Sequence, residues 1–453
     1  MKIPAAVIGL AARASTAVAA INITEAVPLA LLTSQPSFAK LVDSALVSFS
    51  FEFQFWPTYA GNATNQPNPF VHQLLKNLAE RTGKTPAVRV GGRSHVAPYW
   101  LGISALWHHI QVVTALERVR IPPMSTPRFR CGTRPSWAKF SGRLSSNLPA
   151  GTELTFGLNM GSRAGLTKNV TLKFVEIGNE PNVHVPSLES YVSEWKSLAR
   201  TALRNIKMGG NGNPSLLIGS EIIGFNFPFW LTGTLEAGIL DSEDISSVTY
   251  VLNEHQYSDG MFDATPGGPP QGTLMNKGTI RSNLSTVYSG MLNTESYNRR
   301  HYLGEANTYG GQDLLRLSNT GESTVWAVDY LLKAASMGVE RVYFHSTANR
   351  LFAVFQPRWR FTNGTGISRP HIMPMYNGLL VVDEMVDKSE KAKIAEMENK
   401  SDGLATYGMW ENGKLVRMAL INSNVFDQNA TTRSAINVTL SGVPMGRSRL
   451  SSV

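Results

Sequence analysis

The sequence predicts an α/β protein built on a (β/α)8 barrel, with a β-sandwich appended to its C-terminal side. The 453 residues are enough for a barrel of about 250 residues and a second domain of about 100. From residue 47 onward, short β-branched and aromatic runs alternate with helical periodicity or long loops, which is typical of βα units. After about Pro374 the pattern changes to short strands separated by Asn, Gly and Asp turns.

Eight of the apolar runs are predicted to be the barrel strands. In chain order they span residues 47–53, 87–92, 154–160, 172–178, 216–220, 248–255, 301–305 and 341–345. The intervening helices include residues 70–81, 188–206 and 324–337, where apolar side chains recur at three- and four-residue spacing. In the last helix the residues expected to face the barrel are Val325, Val328, Leu331, Leu332 and Ala335, and Gly338 is expected to be the C-cap glycine.

The third βα unit departs from this pattern. Only about eleven residues separate Met160 from Leu172, whereas a parallel crossover with its helix usually needs a dozen or more. We therefore expect either a third helix reduced to a turn or an encoded chain that has lost residues there.

The predicted sandwich contains strands at residues 392–398, 403–410, 416–422 and 435–440, completed by residues that precede Val47. The resulting division is a signal peptide at 1–20, a barrel with an N-terminal extension at 21–373, and a sandwich at 374–453.

The first twenty residues have the features of a secretory signal peptide. Lys2 precedes an apolar run over residues 3–12, and residues 17–19 read Ala-Val-Ala, like a signal-peptidase site. We expect a secreted, extracellular protein; the alternative is an ordinary amphipathic helix. Asn-x-Ser/Thr sequons fit secretion. They begin at Asn22, Asn62, Asn169, Asn283, Asn363, Asn399, Asn429 and Asn437.

The composition argues against several classes of protein. No later segment approaches 18 consecutive apolar residues, so a membrane span is not expected. Cys131 is the single cysteine, which leaves no intramolecular disulfide or cysteine metal cluster, and we expect it to be a small buried apolar residue. The formal charge is +9, but the basic residues are scattered, so we expect a generally basic surface and no nucleic-acid partner.

Two glutamates follow predicted barrel strands at equivalent places. Glu180 lies just past the fourth strand, where Pro181 prevents the strand from continuing, and Glu305 ends the seventh strand. Active sites of such barrels lie at the C-terminal ends of the strands. Two carboxylates across one cleft are what glycosidic cleavage requires, because one protonates the leaving oxygen while the other attacks or activates water.

Several ordered motifs narrow this interpretation. They are Ser-Phe-Ser-Phe-Glu-Phe at 48–53, Val-Arg-Val-Gly-Gly at 88–92, Phe-Gly-Leu-Asn at 156–159, Val-Glu-Ile-Gly-Asn-Glu-Pro-Asn at 175–182, His-Gln-Tyr at 255–257 and Leu-Gly-Glu-Ala-Asn at 303–307. Asn-Glu-Pro alone resembles a large clan of retaining glycosidases. The ordered set resembles glycoside hydrolase family 79, the β-glucuronidase and heparanase family, particularly its secreted fungal members, from about residue 45 to at least 390.

The resemblance implies a retaining hydrolase with Glu180 as acid/base and Glu305 as nucleophile. Asn179 would then hydrogen-bond the sugar 2-hydroxyl, a contact that strengthens in the transition state. The substrate would be terminal β-glucuronate of polysaccharides or glycoconjugates. A neutral β-glycoside and a degenerate carbohydrate-binding homologue are the alternatives. We expect a monomer that needs neither metal nor organic cofactor, because two carboxylates suffice for this chemistry.

Further site residues are expected from the same resemblance. Tyr257 would orient Glu305, or would be an aromatic plug in the barrel top. Glu52 would bind substrate hydroxyls, or would be a buried structural carboxylate. The backbone N–H groups of Gly310 and Gly311 are expected to hold the substrate carboxylate.

The chain also departs from the family pattern. Arg-Ser-His-Val follows the Gly-Gly of the second strand at residues 93–96, where an amide or acidic residue is common. The sandwich is also expected to end early compared with the usual extent of the family.

Overall fold

The computed structural model describes residues 22–92, 143–157, 170–183, 185–209, 215–219, 229–260, 269–310, 314–348, 350–357, 359–360, 367–425 and 434–442. Five features of interest in the sequence lie outside these residues: the N-terminal segment 1–20, residues 93–96 after the Gly-Gly motif, Cys131, residues 158–169 of the short third unit, and Gly311. Within the described residues, no helix is both long and apolar enough to cross a membrane.

The strands follow one another in the predicted order. Two precede the barrel, β1 (Asn22–Ala30) and β2 (Lys40–Leu41). The barrel strands are β3 (Val47–Glu52), β4 (Val88–Gly91), β5 (Glu153–Gly157), β6 (Thr171–Ile177), β7 (Ser215–Gly219), β8 (Thr249–Gly260), β9 (Arg300–Gly310) and β10 (Arg341–Ser346). The later strands are β11 (Phe355–Gln356), β12 (Trp359–Arg360), β13 (Ile367–Ser368), β14 (His371–Ile372), β15 (Lys393–Glu396), β16 (Leu404–Glu411), β17 (Lys414–Asn422) and β18 (Ser434–Ser441).

The eight strands from β3 to β10 form a closed barrel in which every neighbouring pair is parallel and β10 returns to pair with β3. All eight coincide with predicted strands, and the fold class is confirmed. The sequence predicts them well because strands covered on both faces are nearly continuous apolar runs.

Helices surround the barrel. They are α1 (Trp56–Ala60), α2 (Pro69–Thr82), α3 (Leu188–Asn205), α4 (Leu231–Glu236), α5 (Glu243–Ser246), α6 (Lys277–Ser285), α7 (Tyr288–Ser296), α8 (Gly321–Met337) and α9 (Pro374–Val386). The three predicted helices correspond to α2, α3 and α8. The side chain of Asn68 caps α2, and Gly338, with a φ of 114°, ends α8 as predicted.

Helix α8 is buried on more faces than its amphipathic pattern suggests. Val328, Leu331, Leu332 and Ala335 are buried as expected, and Val325 is half-buried against the same core. Trp326 and Tyr330 are also buried. The extra burial arises because α8 packs against the barrel, against α9 and against β15.

Helix α9 is a correction to the sequence interpretation, which placed alternating strands from about Pro374. This proline occupies the first turn of the helix, where its missing N–H costs nothing. Four of the buried residues recur at four- and three-residue spacing along the helix, namely Met375, Leu379, Val382 and Val386. Thus α9 supplies the helix that follows the eighth barrel strand, and the strand-rich texture begins only after it.

The appended strands form two small sheets that also use N-terminal residues. The first sheet is antiparallel and has the strand order β17, β16, β15, β2. The second sheet consists of β18 and β1, which pair in parallel. Polar contacts attach this region to the barrel: Lys333 Nζ and Arg281 Nη2 lie 2.8 and 2.6 Å from carboxylate oxygens of Glu396. The division of the chain at 373/374 stays a prediction.

The barrel interior is layered. Near the N-terminal ends of the strands, Arg341 lies 3.0 Å from a carboxylate oxygen of Asp43 and 2.6 Å from one of Glu153. An apolar layer follows, which consists of Ala87, Phe174, Val251, Tyr302 and Tyr343. Charged and amide side chains fill the space above it, so a hydrophobic layer separates the bottom of the barrel from the polar mouth.

Candidate active site

A β-bulge directs Glu305 into the barrel. The pairing between β8 and β9 shifts register at Gly304, and so does the pairing of β9 with β10. A Cβ on Gly304 would lie 2.2 Å from the side-chain oxygen of Asn253, so only glycine fits there. The extra residue lets Tyr302 and Glu305 both face the interior although they are three positions apart.

Glu180 reaches the same space from the turn after β6. Gly178 has a φ of 89° and Glu180 a φ of 48°, which is uncommon for a residue with a side chain. The side chain of Glu180 is nevertheless buried. A backbone held in a sparsely populated region at the mouth of a barrel is typical of functional sites.

The two carboxylates are close together. One oxygen of Glu180, one of Glu305 and a ring nitrogen of His255 all lie within 4.8 Å of one another. His255 Nδ1 is 3.4 Å from Glu180 Oε1 and 3.6 Å from Glu305 Oε2. The distance between the two carboxylates therefore resembles the roughly 5 to 5.5 Å between the carboxyl groups of retaining glycosidases, and not the wider gap between those of inverting enzymes.

Arg89 is the central cation of the site. Its Nη1 donates to Glu305 Oε1 at 2.6 Å and to Ser50 Oγ at 2.9 Å, and its Nη2 donates to Asn179 Oδ1 at 2.8 Å. Its Nε lies 3.0 and 2.8 Å from the two oxygens of Glu176. Arg89 and Glu176 are both fully buried, so this network is fixed and shielded from solvent screening.

His345 approaches Glu305 from β10. Its Nδ1 lies 3.5 Å from Glu305 Oε1 and 3.1 Å from Ser50 Oγ, and its Nε2 lies 3.6 Å from Glu52 Oε2. Burial lowers the pKa of His345, but the charge of Glu305 and the contacts with Glu52 outweigh that effect, and the pKa is raised. Glu305 is thus flanked by three groups that can carry positive charge, Arg89, His255 and His345.

Glu305 is held in its ionised form. Burial alone raises its pKa, but the charges of His255, His345 and Arg89 oppose that effect and bring the pKa well below its usual range. A carboxylate that stays ionised is the form required of a nucleophile.

Tyr257 also contacts Glu305. Its hydroxyl donates to Glu305 Oε2 at 3.0 Å. Burial, and then the charges of Glu305 and Glu180, hold the pKa of Tyr257 well above its ordinary value, so the hydroxyl remains a donor. The side-chain nitrogen of Asn283 fixes the backbone here, because it donates to the carbonyls of Tyr257 and Ser258 at 2.8 and 3.2 Å.

Asn179 presents a donor to the cleft. Arg89 can only donate, so the atom of Asn179 that faces it is the oxygen. The side-chain nitrogen is buried and has no hydrogen-bond partner among the described residues. A buried unpaired amide costs free energy unless a ligand satisfies it.

Two other predicted site residues, Glu52 and Gly310, lie nearby. Glu52 ends β3 and is buried beside Gly92, where a Cβ would lie 2.3 Å from Glu52 Oε2. Gly92 has a φ of 103°, which explains why the Gly-Gly motif needs glycine at that position. Gly310 ends β9 close to the ring of Tyr257. The substrate-binding roles of Glu52, Gly310 and Gly311 stay predictions.

Glu180, His255 and Glu305 could together offer ligands to a cation. The arrangement fits a metal poorly, because the guanidinium of Arg89 already occupies one side of Glu305 at 2.6 Å. A second cation against the same carboxylate would meet that fixed positive charge.

Sequence reasoning did not assign roles to Arg89, Glu176, His255 or His345. A signal was available for Arg89 and Glu176, because each is a charged residue between apolar residues of a short barrel strand, and side chains along such a strand alternate between the interior and the exterior. The strands of His255 and His345 contain other polar residues, so the same signal does not single out these histidines.

The chain was compared with known proteins. No family model matches it. A β-glucuronidase of Aspergillus niger is 27% identical over 424 residues, covering 86% of this chain and 74% of that protein. A β-glucuronidase of Neurospora crassa is 25% identical over 470 residues, covering 94% and 79%.

Solved structures share the fold. A 4-O-α-L-rhamnosyl-β-D-glucuronidase from Fusarium oxysporum 12S superposes with a TM-score of 0.64 at 18% identity, covering 92% of this chain and 85% of that one. A family 51 α-L-arabinofuranosidase from Bifidobacterium longum has a TM-score of 0.57 at 13% identity, covering 93% and 89%. The two relatives and the ordered strand-end motifs both support assigning the chain to glycoside hydrolase family 79.

Proposed function

We propose that this chain hydrolyses terminal β-glucuronosyl linkages with retention of configuration, through a covalent intermediate on Glu305. The observation that carries the mechanism is the short separation of the two carboxylates, whose nearest oxygens lie within 4.8 Å. That spacing leaves no room for the water that an inverting enzyme places between its acid and base.

In the first step, an oxygen of Glu305 attacks the anomeric carbon while Glu180 gives its proton to the glycosidic oxygen. The bond from the anomeric carbon to the aglycone breaks, and the aglycone leaves as a neutral alcohol. Arg89 and Tyr257 hold the two oxygens of Glu305 at 2.6 and 3.0 Å, so the attacking carboxylate needs little reorientation.

In the second step, the ionised Glu180 takes a proton from water, and the resulting nucleophile displaces Glu305 from the anomeric carbon. Asn179 contributes in both steps, because its buried side-chain nitrogen is available to a sugar hydroxyl. Hydrogen bonds to the 2-hydroxyl strengthen as oxocarbenium character develops.

The choice of a uronic acid is supported by the two relatives named β-glucuronidases. The substrate carboxylate would be bound by backbone N–H groups at Gly310, the last residue of β9, and at Gly311, the next residue in the sequence. Charge-assisted hydrogen bonds are worth roughly 1.5 to 3 kcal/mol each, about ten- to 150-fold per bond, so two of them would favour glucuronide over glucoside at least about a hundredfold.

Comparing kcat/KM for nitrophenyl β-glucuronide and nitrophenyl β-glucoside tests the proposed substrate. We expect the glucuronide to be strongly preferred. Equal values would favour a neutral β-glycoside as substrate, and no turnover of either would favour a carbohydrate-binding homologue.

We also propose that the chain is secreted, with residues 1–20 as signal peptide, and acts as a monomer. The carbohydrate substrate and the sequons support secretion. N-terminal sequencing of protein from a culture supernatant tests the cleavage site, and light scattering tests the oligomeric state.

A further inference from the structure

The structure separates the Asn-x-Ser/Thr sequons into two kinds. Four of them have an asparagine side chain within the described residues, and these begin at Asn62, Asn283, Asn399 and Asn437. We propose that Asn62 and Asn437 carry N-linked glycans in the folded protein and that Asn283 and Asn399 do not. The proposal depends on the proposed secretion and is independent of the sugar that the enzyme cleaves.

The sequon at Asn62 lies in an exposed loop. Asn62 and Thr64 are both exposed, and the chain reverses directly after them, because the backbone of Gln66 donates to the carbonyl of Ala63 at 3.1 Å. The loop joins α1 to α2 on the side of the barrel where strand β3 ends. A glycan there would project into solvent without displacing a described contact.

The sequon at Asn437 lies on strand β18. Asn437 and Thr439 are both exposed, as expected for residues two apart on one face of a strand. Between them, Val438 packs toward the core formed with Leu29 and Trp410. The strand can therefore carry a glycan on its outer face while its inner face stays packed.

The carboxamide of Asn283 is already engaged. Its side-chain nitrogen donates to the carbonyls of Tyr257 and Ser258, and the side chain is half-buried. An N-linked sugar replaces one of the two N–H groups, so at least one of these bonds would be lost. The sugar would also have to fit against the end of β8, next to the tyrosine that contacts Glu305.

The carboxamide of Asn399 is engaged at both atoms. Its nitrogen donates to the carbonyl of Leu404 at 3.1 Å and to Thr406 Oγ1 at 3.2 Å, and its oxygen accepts from the backbone of Ser401 at 2.9 Å. Ser401, the third sequon residue, is buried. A chain with a glycan here would lose the turn between β15 and β16, so it would be depleted from the folded fraction.

Site-by-site glycopeptide mass spectrometry tests the proposal. The full chain would be produced in a secreting yeast behind the host's own leader, so the outcome does not depend on the natural N-terminus. Folded protein would be isolated, trimmed with an endoglycosidase that leaves one N-acetylglucosamine, and digested. We expect one N-acetylglucosamine on each of the peptides that contain Asn62 and Asn437, and none on the peptides that contain Asn283 and Asn399.

Three variants provide controls that leave every asparagine in place. Thr64→Ala and Thr439→Ala should each remove one glycan from the secreted protein. Ser285→Ala should leave the set of glycosylated peptides unchanged. A glycan on Asn283 or Asn399 in the folded fraction, or a bare Asn62 or Asn437, would overturn the proposal.

Discussion

Replacing Arg89 by methionine should impair the nucleophile and should do so in a pH-dependent way. The change removes the hydrogen bond of 2.6 Å to Glu305 and the bond that fixes Asn179. A hydrogen bond to a charged group is worth about 1.5 to 3 kcal/mol. If the Glu305 bond is fully used in the transition state, kcat/KM falls roughly ten- to 150-fold.

The direction of the pH effect follows from the charges around Glu305. The pKa of Glu305 is depressed because His255, His345 and Arg89 together outweigh its burial. Removing one of these cations makes the ionised carboxylate less favourable and raises the pKa. The acid limb of the kcat/KM profile should therefore move to higher pH in Arg89→Met.

Folding must be separated from catalysis in this experiment. Arg89→Met leaves Glu176 buried without its cation, which typically costs about 3 to 5 kcal/mol of stability. The double variant Arg89→Met/Glu176→Gln removes that buried charge and should recover much of the melting temperature, but it should keep the shifted acid limb. Arg200→Met is the same substitution at an exposed arginine of α3, and it should change neither the melting temperature nor the acid limb of the kcat/KM profile.

The assay is kcat/KM for nitrophenyl β-glucuronide across the acidic range, with thermal melting of each variant. The reasoning would be refuted if folded Arg89→Met kept an unshifted acid limb and activity within twofold of the parent.

Three further predictions concern other groups. Tyr257→Phe removes the 3.0 Å hydrogen bond to the ionised Glu305, worth about 1.5 to 3 kcal/mol, and should lower kcat/KM roughly ten- to 150-fold with little change in melting temperature; an unchanged rate would show that Tyr257 does not assist Glu305. Glu305→Gln should abolish turnover, whereas Glu180→Gln should retain activity on substrates with good leaving groups and respond to azide; the reverse pattern would exchange their roles. At the barrel bottom, the pKa of Asp43 is lowered from 3.8 to about 2 by Arg341, Lys84 and other contacts that overcome its burial. Ionised Asp43 therefore stabilises the folded state at every pH above the pKa that Asp43 has in the unfolded chain. This stabilisation is lost as the pH falls from about 4 to 2. In denaturant unfolding, the free energy of unfolding of Asp43→Asn should be about 2 kcal/mol lower than that of the parent near pH 6. This difference should become smaller toward pH 2. A difference that does not change with pH would contradict the prediction.

The barrel was predictable from the sequence because its strands are apolar on both faces, and because turns and caps such as Gly338 have local signals. Helix α9 was not anticipated, since its N-cap position is Met373, which has no side-chain capping bond. Its start is marked only by Pro374, a residue that also begins many loops.

The two glutamates were predictable because each ends a barrel strand. The bulge that orients Glu305 was not predictable from the sequence. A glycine in a strand can mark a bulge, a bend or a close approach of another group, and the clash with Asn253 that requires glycine at 304 involves a different strand. The role of Arg89 depends on contacts with β3, β6 and β9, which bring together residues far apart in sequence.

Retention is the central claim, and proton NMR of the first sugar released from a β-glucuronide tests it most directly. Double displacement through Glu305 inverts the anomeric centre twice, so the β-anomer of glucuronic acid should appear first and the α-anomer only later, by mutarotation. An initial α-anomer would show a single displacement by water and would contradict the assignment of Glu305 as nucleophile.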